Sequence, residues 1–405
     1  MTAIIDMLRG TPAARRFFLA YAQSALGSGV GYVALILVAY QRFHSGFAVA
    51  AVLGAGVVPL MVLGPMLGGA ADRLPRRACL VGADLVRAVA FLGIATIHGL
   101  PATIALATLA GIGTGVFNPA ALAGLPHAAG ERHAAAATSL YSALSMMGKT
   151  VGPLAAAAVL AGGGVDLALA ANGASFLISA ALVATIDFGR PSADGGEDRG
   201  ESETGPRLRG VPGFGPVVAI SSLTVLFTGL STVAEPRFIT GDLGAPSWAF
   251  SVMVGLWGIG VFAGSLAGSG GGAVGRLWVR YLAGIGLMGA GYAAAAAAPD
   301  YALTLPGFVL AGLGDGILLV HERLLVQTLV PERAWGRAFG SLDMVAAWAF
   351  AAALGGGALA VAGPGARVAV LAAGLGTLAV WLVAAAGTTA RAARRAGRAP
   401  VPETT

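Results

Sequence analysis

Residues 68–77 read Gly-Gly-Ala-Ala-Asp-Arg-Leu-Pro-Arg-Arg and separate two long apolar runs, at 47–70 and 78–98. A helix needs about 20 mostly apolar residues to cross a bilayer, and each run has that length. The turn between them is short and basic. This stretch therefore predicts two membrane-spanning helices joined by a charged turn.

The same alternation of apolar runs and charged turns continues in both directions. Only 11% of the 405 residues are charged and 57% are hydrophobic, whereas a soluble domain usually carries about 25% charged residues. The sequence predicts an all-α membrane protein with twelve transmembrane helices. Their windows are 17–40, 47–70, 78–98, 101–124, 138–161, 165–187, 214–235, 247–268, 278–298, 303–326, 341–361 and 366–387. The first window is longer than the roughly 7–15 apolar residues of a signal peptide, so we expect it to stay uncleaved.

The basic residues mark one side of the predicted membrane. With the N-terminus in the cytoplasm, 19 of the 25 basic residues fall in inside segments and 3 in outside loops. Arg87, Lys149 and Arg323 fall within spans. Because basic residues concentrate in cytoplasmic loops, the pattern predicts a multi-pass protein of the inner or plasma membrane with both termini in the cytoplasm. The net charge of +6 thus reflects membrane topology, and no nucleic-acid partner is expected.

The chain divides around one long polar stretch. Residues 188–212 are rich in Asp, Glu, Gly, Ser and Pro, a composition typical of a flexible linker. They predict a cytoplasmic linker between an N-terminal six-helix half, 1–187, and a C-terminal six-helix half, 213–390. Residues 391–405 form a basic cytoplasmic tail whose arginines can contact anionic lipid.

The two halves share short matches at an offset near 202. Each match lies at the same place relative to the apolar windows of its half. Gly69–Arg77 matches Gly272–Arg280, Gly111–Gly115 matches Gly312–Gly316, Glu131-Arg132 matches Glu332-Arg333, and Ser139-Leu140 matches Ser341-Leu342. Together they predict parallel six-helix repeats, an architecture that places a substrate site near the midplane between the halves.

The basic turn at 68–77 resembles the signature G-x-x-x-D-R/K-x-G-R-R/K of the major facilitator superfamily. The matching residues are Gly68, Asp72, Arg73, Arg76 and Arg77, while Pro75 stands where the signature has glycine. The resemblance implies the major facilitator fold, with twelve helices in two pseudo-symmetric halves, and transport by alternating access. It also implies that the motif gates the transporter, with Asp72 pairing with a basic residue in one conformation. The alternative is that these arginines only set the topology.

Further segments are similar to the siderophore-, macrolide- and drug-exporter branch of this superfamily. They are Phe117–Ala120, Asp84–Arg87, Gly148–Pro153 and Gln327–Arg337. Gly148, Gly152 and Pro153 partly match the span-five motif of antiporters, although the arginine that antiporters carry in span four is missing. Small residues allow close helix packing, and proline can bend a helix. The resemblance implies proton-coupled efflux of a small amphiphilic drug, antibiotic or siderophore, with import by the same fold as the alternative.

Lys149, Asp84 and Arg87 are charged residues inside apolar runs. A charge at the centre of a span costs at least ~2.5–3.5 kcal/mol on insertion scales, so such a residue usually faces a cavity or a partner of opposite charge. Lys149 is therefore a candidate substrate or coupling cation, or else a structural partner for Asp84 or another acid. Asp84 and Arg87 are three residues apart and can also pair with each other.

Asp315 and Glu322 lie in the tenth window. Because they are seven residues apart, they share one face of a helix and are candidate proton carriers. The alternative is that Glu322 and Arg323 lie near the cytoplasmic end and pair with loop charges.

Other classes of site leave no pattern in the sequence. The five histidines are scattered, and we find no metal-ligand spacing, nucleotide loop or nucleophile motif. The one cysteine, Cys79, is interpreted as a small apolar filler. We therefore expect a non-enzymatic monomer without a cofactor, whose partners are a small-molecule substrate, protons and membrane lipid.

Overall fold

The computed structural model describes residues 2–188, 211–268 and 272–396. Helices joined by short connections make up these ranges, and no strand occurs in them. In chain order the helices are α1 (Thr2–Gly10), α2 (Pro12–Phe43), α3 (Gly46–Arg73), α4 (Arg76–Thr96), α5 (Leu100–Ala129), α6 (Ala134–Ala184), α7 (Phe214–Arg237), α8 (Ser247–Ala267), α9 (Val274–Ala297), α10 (Tyr301–Leu329), α11 (Trp335–Ala362) and α12 (Ala366–Ala396).

The helices from α2 onward coincide with the twelve predicted spans. By length and composition, nine helices in the described ranges can cross a membrane. One of them is α6, which contains two crossings because Gly164 breaks its helical geometry with φ 73° and ψ −169°. The remaining two predicted spans are α3 and α9. The prediction of an all-α membrane protein is therefore confirmed.

Three local features differ from the predicted pattern. Windows five and six are not separated by a loop, since Gly164 alone makes the break within α6. A short helix, α1, precedes the first span and buries Met7. At the C-terminus, α12 continues to Ala396, so the first residues of the predicted tail are helical.

The chain forms two compact units. Unit 1 comprises Met1–Glu203, Thr232–Gly258 and Leu354–Ala366, and unit 2 comprises Thr204–Ser231, Ile259–Ala353 and Arg367–Thr405. The division into halves 1–187 and 213–390 stays a prediction. Most of the predicted linker, residues 189–210, and the end of the tail, residues 397–405, lie outside the described residues.

Equivalent segments of the internal repeat have equivalent local structure. Glu131–His133 and Glu332–Ala334 both form one 3₁₀ turn ahead of a long helix. A Cβ on Gly113 of α5 would meet α4, and one on Gly314 of α10 would meet the backbone of α9. In each unit, glycine thus allows the fourth helix of a repeat to approach the third closely.

Candidate functional site

A cavity of about 460 Å³ lies within unit 1. Its walls come from α2, α4, α5, the first arm of α6 (134–163) and α8. The lining residues are Tyr21, Ser24, Ala25, Ser28, Gly29, Tyr32, Arg87, Thr114, Phe117, Asn118, Ser145, Gly148, Lys149, Pro153, Val254 and Trp257. Its size is in the range of small-molecule sites, about 300–1,000 Å³.

Close packing of α2 on α6 fixes one wall of this cavity. A Cβ on Gly29 would meet the backbone of Gly148 and Gly152, and a Cβ on Gly148 would meet the backbone of Ala25. The two helices therefore approach at a point where only glycine fits. Pro153 follows Gly152 in the sequence and lines the cavity. These contacts suit the packing role expected for Gly148, Gly152 and Pro153.

Aromatic rings form a stack beside the cavity. The ring of Tyr21 lies parallel to that of Tyr141, with 4.2 Å between centroids, and stacks on Phe117 at 6.3 Å. The Tyr141 hydroxyl donates a hydrogen bond to Asn118 Oδ1 at 3.2 Å. The stack links α2, α5 and α6 and presents an apolar surface with polar edges.

Asp84 and Arg87 form a buried ion pair on α4. Their residue exposures are 0% and 5%, and Arg87 Nη2 donates to Asp84 Oδ1. The guanidinium also lies between two rings, 4.2 Å from the centroid of Phe117 and 4.3 Å from that of Phe176. Although Arg87 lines the cavity, Asp84 compensates its charge.

Lys149 lies on the first arm of α6 and lines the cavity with an exposed side chain. No hydrogen bond or ion pair reaches it from the part of the chain that the structure describes. Asp84 pairs with Arg87 instead, so the alternative in which Lys149 is the partner of Asp84 is wrong. The lysine is therefore a cation that a ligand in the cavity can reach.

Glu322 occupies a different environment, in unit 2. Glu322 is 7% exposed, and its Oε2 accepts a hydrogen bond from Ser221 Oγ of α7. The same serine oxygen lies 2.7 Å from the hydroxyl of Tyr281 on α9. Among the described residues, no cation forms an ion pair with Glu322. We call this group the Glu322 cluster, comprising Glu322, Ser221 and Tyr281.

The neighbouring charges of α10 do not join this cluster. Arg323 forms an exposed ion pair with Asp343 at 3.0 Å and lies 4.9 Å from the Phe339 ring centroid. Asp315 is half-buried, without a hydrogen bond or ion pair in the described ranges. The alternative in which Glu322 and Arg323 pair with loop charges is met by neither residue in the described ranges, since the partner of Arg323, Asp343, lies within α11.

The predicted gating residues lie at the junction of α3 and α4. Gly68, Asp72 and Arg73 belong to the end of α3, but their side chains lie outside the described residues. Arg76 begins α4, and its Nη1 lies 3.0 Å from the ring nitrogens of His127. Arg77 is exposed. The gating role of this motif stays a prediction.

Several residues of these sites were not predicted from the sequence. They are Tyr141, Asn118 and Trp257 near the cavity and Ser221 and Tyr281 beside Glu322. Tyr and Trp within apolar windows were the available signal, but hydropathy alone does not say which helix each ring meets. The described residues contain no group of three or more His, Cys, Asp or Glu side chains that could hold a metal.

Comparison with known proteins identifies the family. A family model described as the Major Facilitator Superfamily matches residues 17–267. The chain belongs to the major facilitator superfamily. The predicted family and the predicted multi-pass membrane architecture are therefore confirmed.

Relatives with similar sequences include exporters by name. Proteins named "Putative bacilysin exporter BacE", from Bacillus amyloliquefaciens and Bacillus subtilis, are 32% identical over 154 residues, or 37% of this chain. The match spans 38% of the length of those relatives. A second relative, "Uncharacterized MFS-type transporter YfiS" of Bacillus subtilis (strain 168), is 23% identical over 92% of both chains.

Solved transporters share the fold. A bacterial homologue of the iron transporter ferroportin in an inward-facing state has a TM-score of 0.72 at 15% identity, covering 92% of this chain and 98% of that one. A mutant of the nucleoside transporter NupG has a TM-score of 0.74 at 11% identity, covering 92% and 99%. At these identities the likeness concerns the architecture alone.

Proposed function

We propose that this transporter is a secondary active exporter of a small amphiphilic compound, a drug, antibiotic or siderophore. The observation that carries the proposal is the cavity of unit 1, whose aromatic stack lies beside polar and cationic groups. Such a lining suits a molecule with both an apolar ring and polar substituents. The names of the bacilysin-exporter relatives favour outward transport.

Transport proceeds by alternating access, with the two six-helix halves exposing the site to each side in turn. The motif at 68–77 gates this movement through Asp72. Asp72→Asn is expected to impair transport while the protein still inserts into the membrane. Flux equal to wild type would remove the gating role.

Proton movement drives the cycle through a buried carboxylate. Glu322 is the best placed of the candidates, because an ionised carboxylate without a cation is costly to bury. Binding and release of a proton there can accompany a change in exposure of the site. Asp84 is less suited, since Arg87 already compensates its charge.

The protein acts in the inner or plasma membrane as a monomer, with both termini in the cytoplasm. The support is the distribution of basic residues, 19 in inside segments and 3 in outside loops. Reporter fusions at the turns after α3 and α4 should give cytoplasmic and external signals respectively.

An efflux screen tests the function. In a host that lacks its major efflux pumps, expression of the protein is expected to raise resistance to the exported compound and lower its accumulation. Everted vesicles should take up that compound, and a protonophore should abolish the uptake. Uptake by whole cells instead would establish the importer as the correct alternative.

A further inference from the structure

We propose that the cavity of unit 1 selects anionic substrates, with Lys149 as the counter-ion of a carboxylate on a small aromatic compound. This inference rests on the proposed function, since it specifies the chemical class that the substrate cavity accepts. It assigns Lys149 a role in specificity, distinct from the proton-coupling role proposed for Glu322.

The charge of the cavity wall is the first argument. Lys149 is exposed in the cavity, and no ion pair in the described chain compensates it. The other lining cation, Arg87, is paired with Asp84. Within the described lining there is no carboxylate. The wall therefore carries one uncompensated positive charge, which attracts an anion and repels a cation.

Unused hydrogen-bond donors are the second argument. Trp257 lines the cavity, and its buried Nε1–H has no acceptor in the described structure. The Asn118 carbonyl oxygen accepts from Tyr141, while its amide group has no acceptor among the described residues. The buried Trp257 donor costs about 1–3 kcal/mol while it is unsatisfied. Asn118 is an exposed residue, so its amide carries no such penalty, but it is free to donate to a ligand. A carboxylate oxygen can accept a hydrogen bond from either group.

The aromatic stack is the third argument, because it offers a binding surface for the aromatic ring of the ligand. Tyr21 and Phe117 line the cavity and stack on each other, and Tyr141 extends the stack behind Tyr21. A ring of the ligand can pack on this surface in an offset or edge-to-face arrangement. Aromatic walls also attract organic cations, but here the positive charge of Lys149 opposes that attraction.

A charge series on one scaffold tests the proposal. The probes are tritiated N-acetyl-L-phenylalanine, its neutral amide, and L-phenylalaninamide. They are compared at about pH 6, where the α-amino group of L-phenylalaninamide, whose usual pKa is at most about 7.7–8.0, is protonated and the compound is cationic. Binding to the full-length protein in lipid nanodiscs is measured for each. We expect the acid to bind at least about tenfold tighter than either of the other two compounds.

Variants of Lys149 separate charge from shape. Lys149→Arg should retain the preference for the acid, Lys149→Gln should reduce it to within about twofold, and Lys149→Glu should favour the cation. Arg132→Gln serves as the matched control, because it removes a positive charge from an exposed residue of unit 1 outside the cavity. It should leave the preference unchanged.

Equal binding of the three probes, binding of none of them, or an unchanged preference in Lys149→Gln would overturn the proposal. These results are separable from failure of the proposed function. If the efflux screen shows export of neutral or cationic compounds only, the anion site is contradicted and the proposed export function is not. If the screen shows no flux of any compound, the proposed export function is contradicted.

Discussion

Two buried acids in this protein have opposite surroundings. Asp84 of unit 1 pairs with Arg87, whose guanidinium lies between Phe117 and Phe176. Glu322 of unit 2 accepts a hydrogen bond from neutral Ser221, which in turn contacts Tyr281. The first acid has a charge partner and the second has hydroxyl groups.

The contrast supports the proposal that Asp84 has a structural role and Glu322 a coupling role. A buried ion pair is costly to break, because removal of one partner leaves the other as an uncompensated charge. A carboxylate among hydroxyl groups can exchange a proton without breaking an ion pair. Asp84 should therefore matter first for stability, and Glu322 first for energy coupling.

The largest expected effect is that of Arg87→Gln. It leaves Asp84 buried without its cation and should lower the free energy of unfolding by about 3–5 kcal/mol. Thermal unfolding of the detergent-solubilised protein measures it. The double variant Asp84→Asn/Arg87→Gln should recover most of the stability, because neither buried charge remains. A loss below about 1 kcal/mol in the single variant would show that the ion pair is not structural.

Ser221→Ala should have the next largest effect on stability. It removes the donor to the buried Glu322 carboxylate, a change that costs about 1–3 kcal/mol. Thr224→Val is the matched control on the same helix, because the buried Thr224 hydroxyl has no hydrogen-bond partner in the described structure. That variant should unfold at nearly the wild-type temperature. Equal destabilisation by both variants would argue against the Glu322 cluster.

Glu322→Gln should change stability little and transport greatly. The amide can still accept a hydrogen bond from Ser221, but it cannot bind and release a proton. We expect unfolding close to wild type and loss of uptake driven by a pH gradient in everted vesicles. Exchange of substrate across the membrane without a gradient should persist. Normal gradient-driven uptake would exclude Glu322 as the proton carrier.

The smallest effect is expected for Arg323→Gln, one residue away from Glu322. Its ion pair with Asp343 is exposed, with side-chain exposures of 44% and 60%. Exposed pairs contribute about 0–1 kcal/mol, so the unfolding temperature should barely move. A loss as large as that of Arg87→Gln would mean that the two arginines do not differ as the structure indicates.

The helices were predictable from the sequence because a bilayer imposes a length and a composition on each span. The positions of the arginines predicted which turns face the cytoplasm. The break at Gly164 was not predictable, since a single residue replaces the loop between two windows. The short helix α1 was missed because it lies before the first apolar run and is too short to span.

The sites were predictable only where partners are neighbours in sequence. Asp84 and Arg87 are three residues apart, so their pairing followed from helical geometry. The partners of Glu322 lie on two other helices, 101 residues away in the case of Ser221, and nothing local indicates which hydroxyl it meets. Lys149 stood out as an intramembrane charge, but the cavity that it faces depends on the packing of five helices.

Proton movement measured directly in everted vesicles tests the central claim, that Glu322 couples transport to protons while Asp84 serves structure. Respiring vesicles acidify their interior, and a pH-sensitive dye reports release of protons when the exported compound from the efflux screen is added. The account predicts proton release by wild type and by Arg323→Gln, and none by Glu322→Gln. Proton release by Glu322→Gln at the wild-type rate would contradict it.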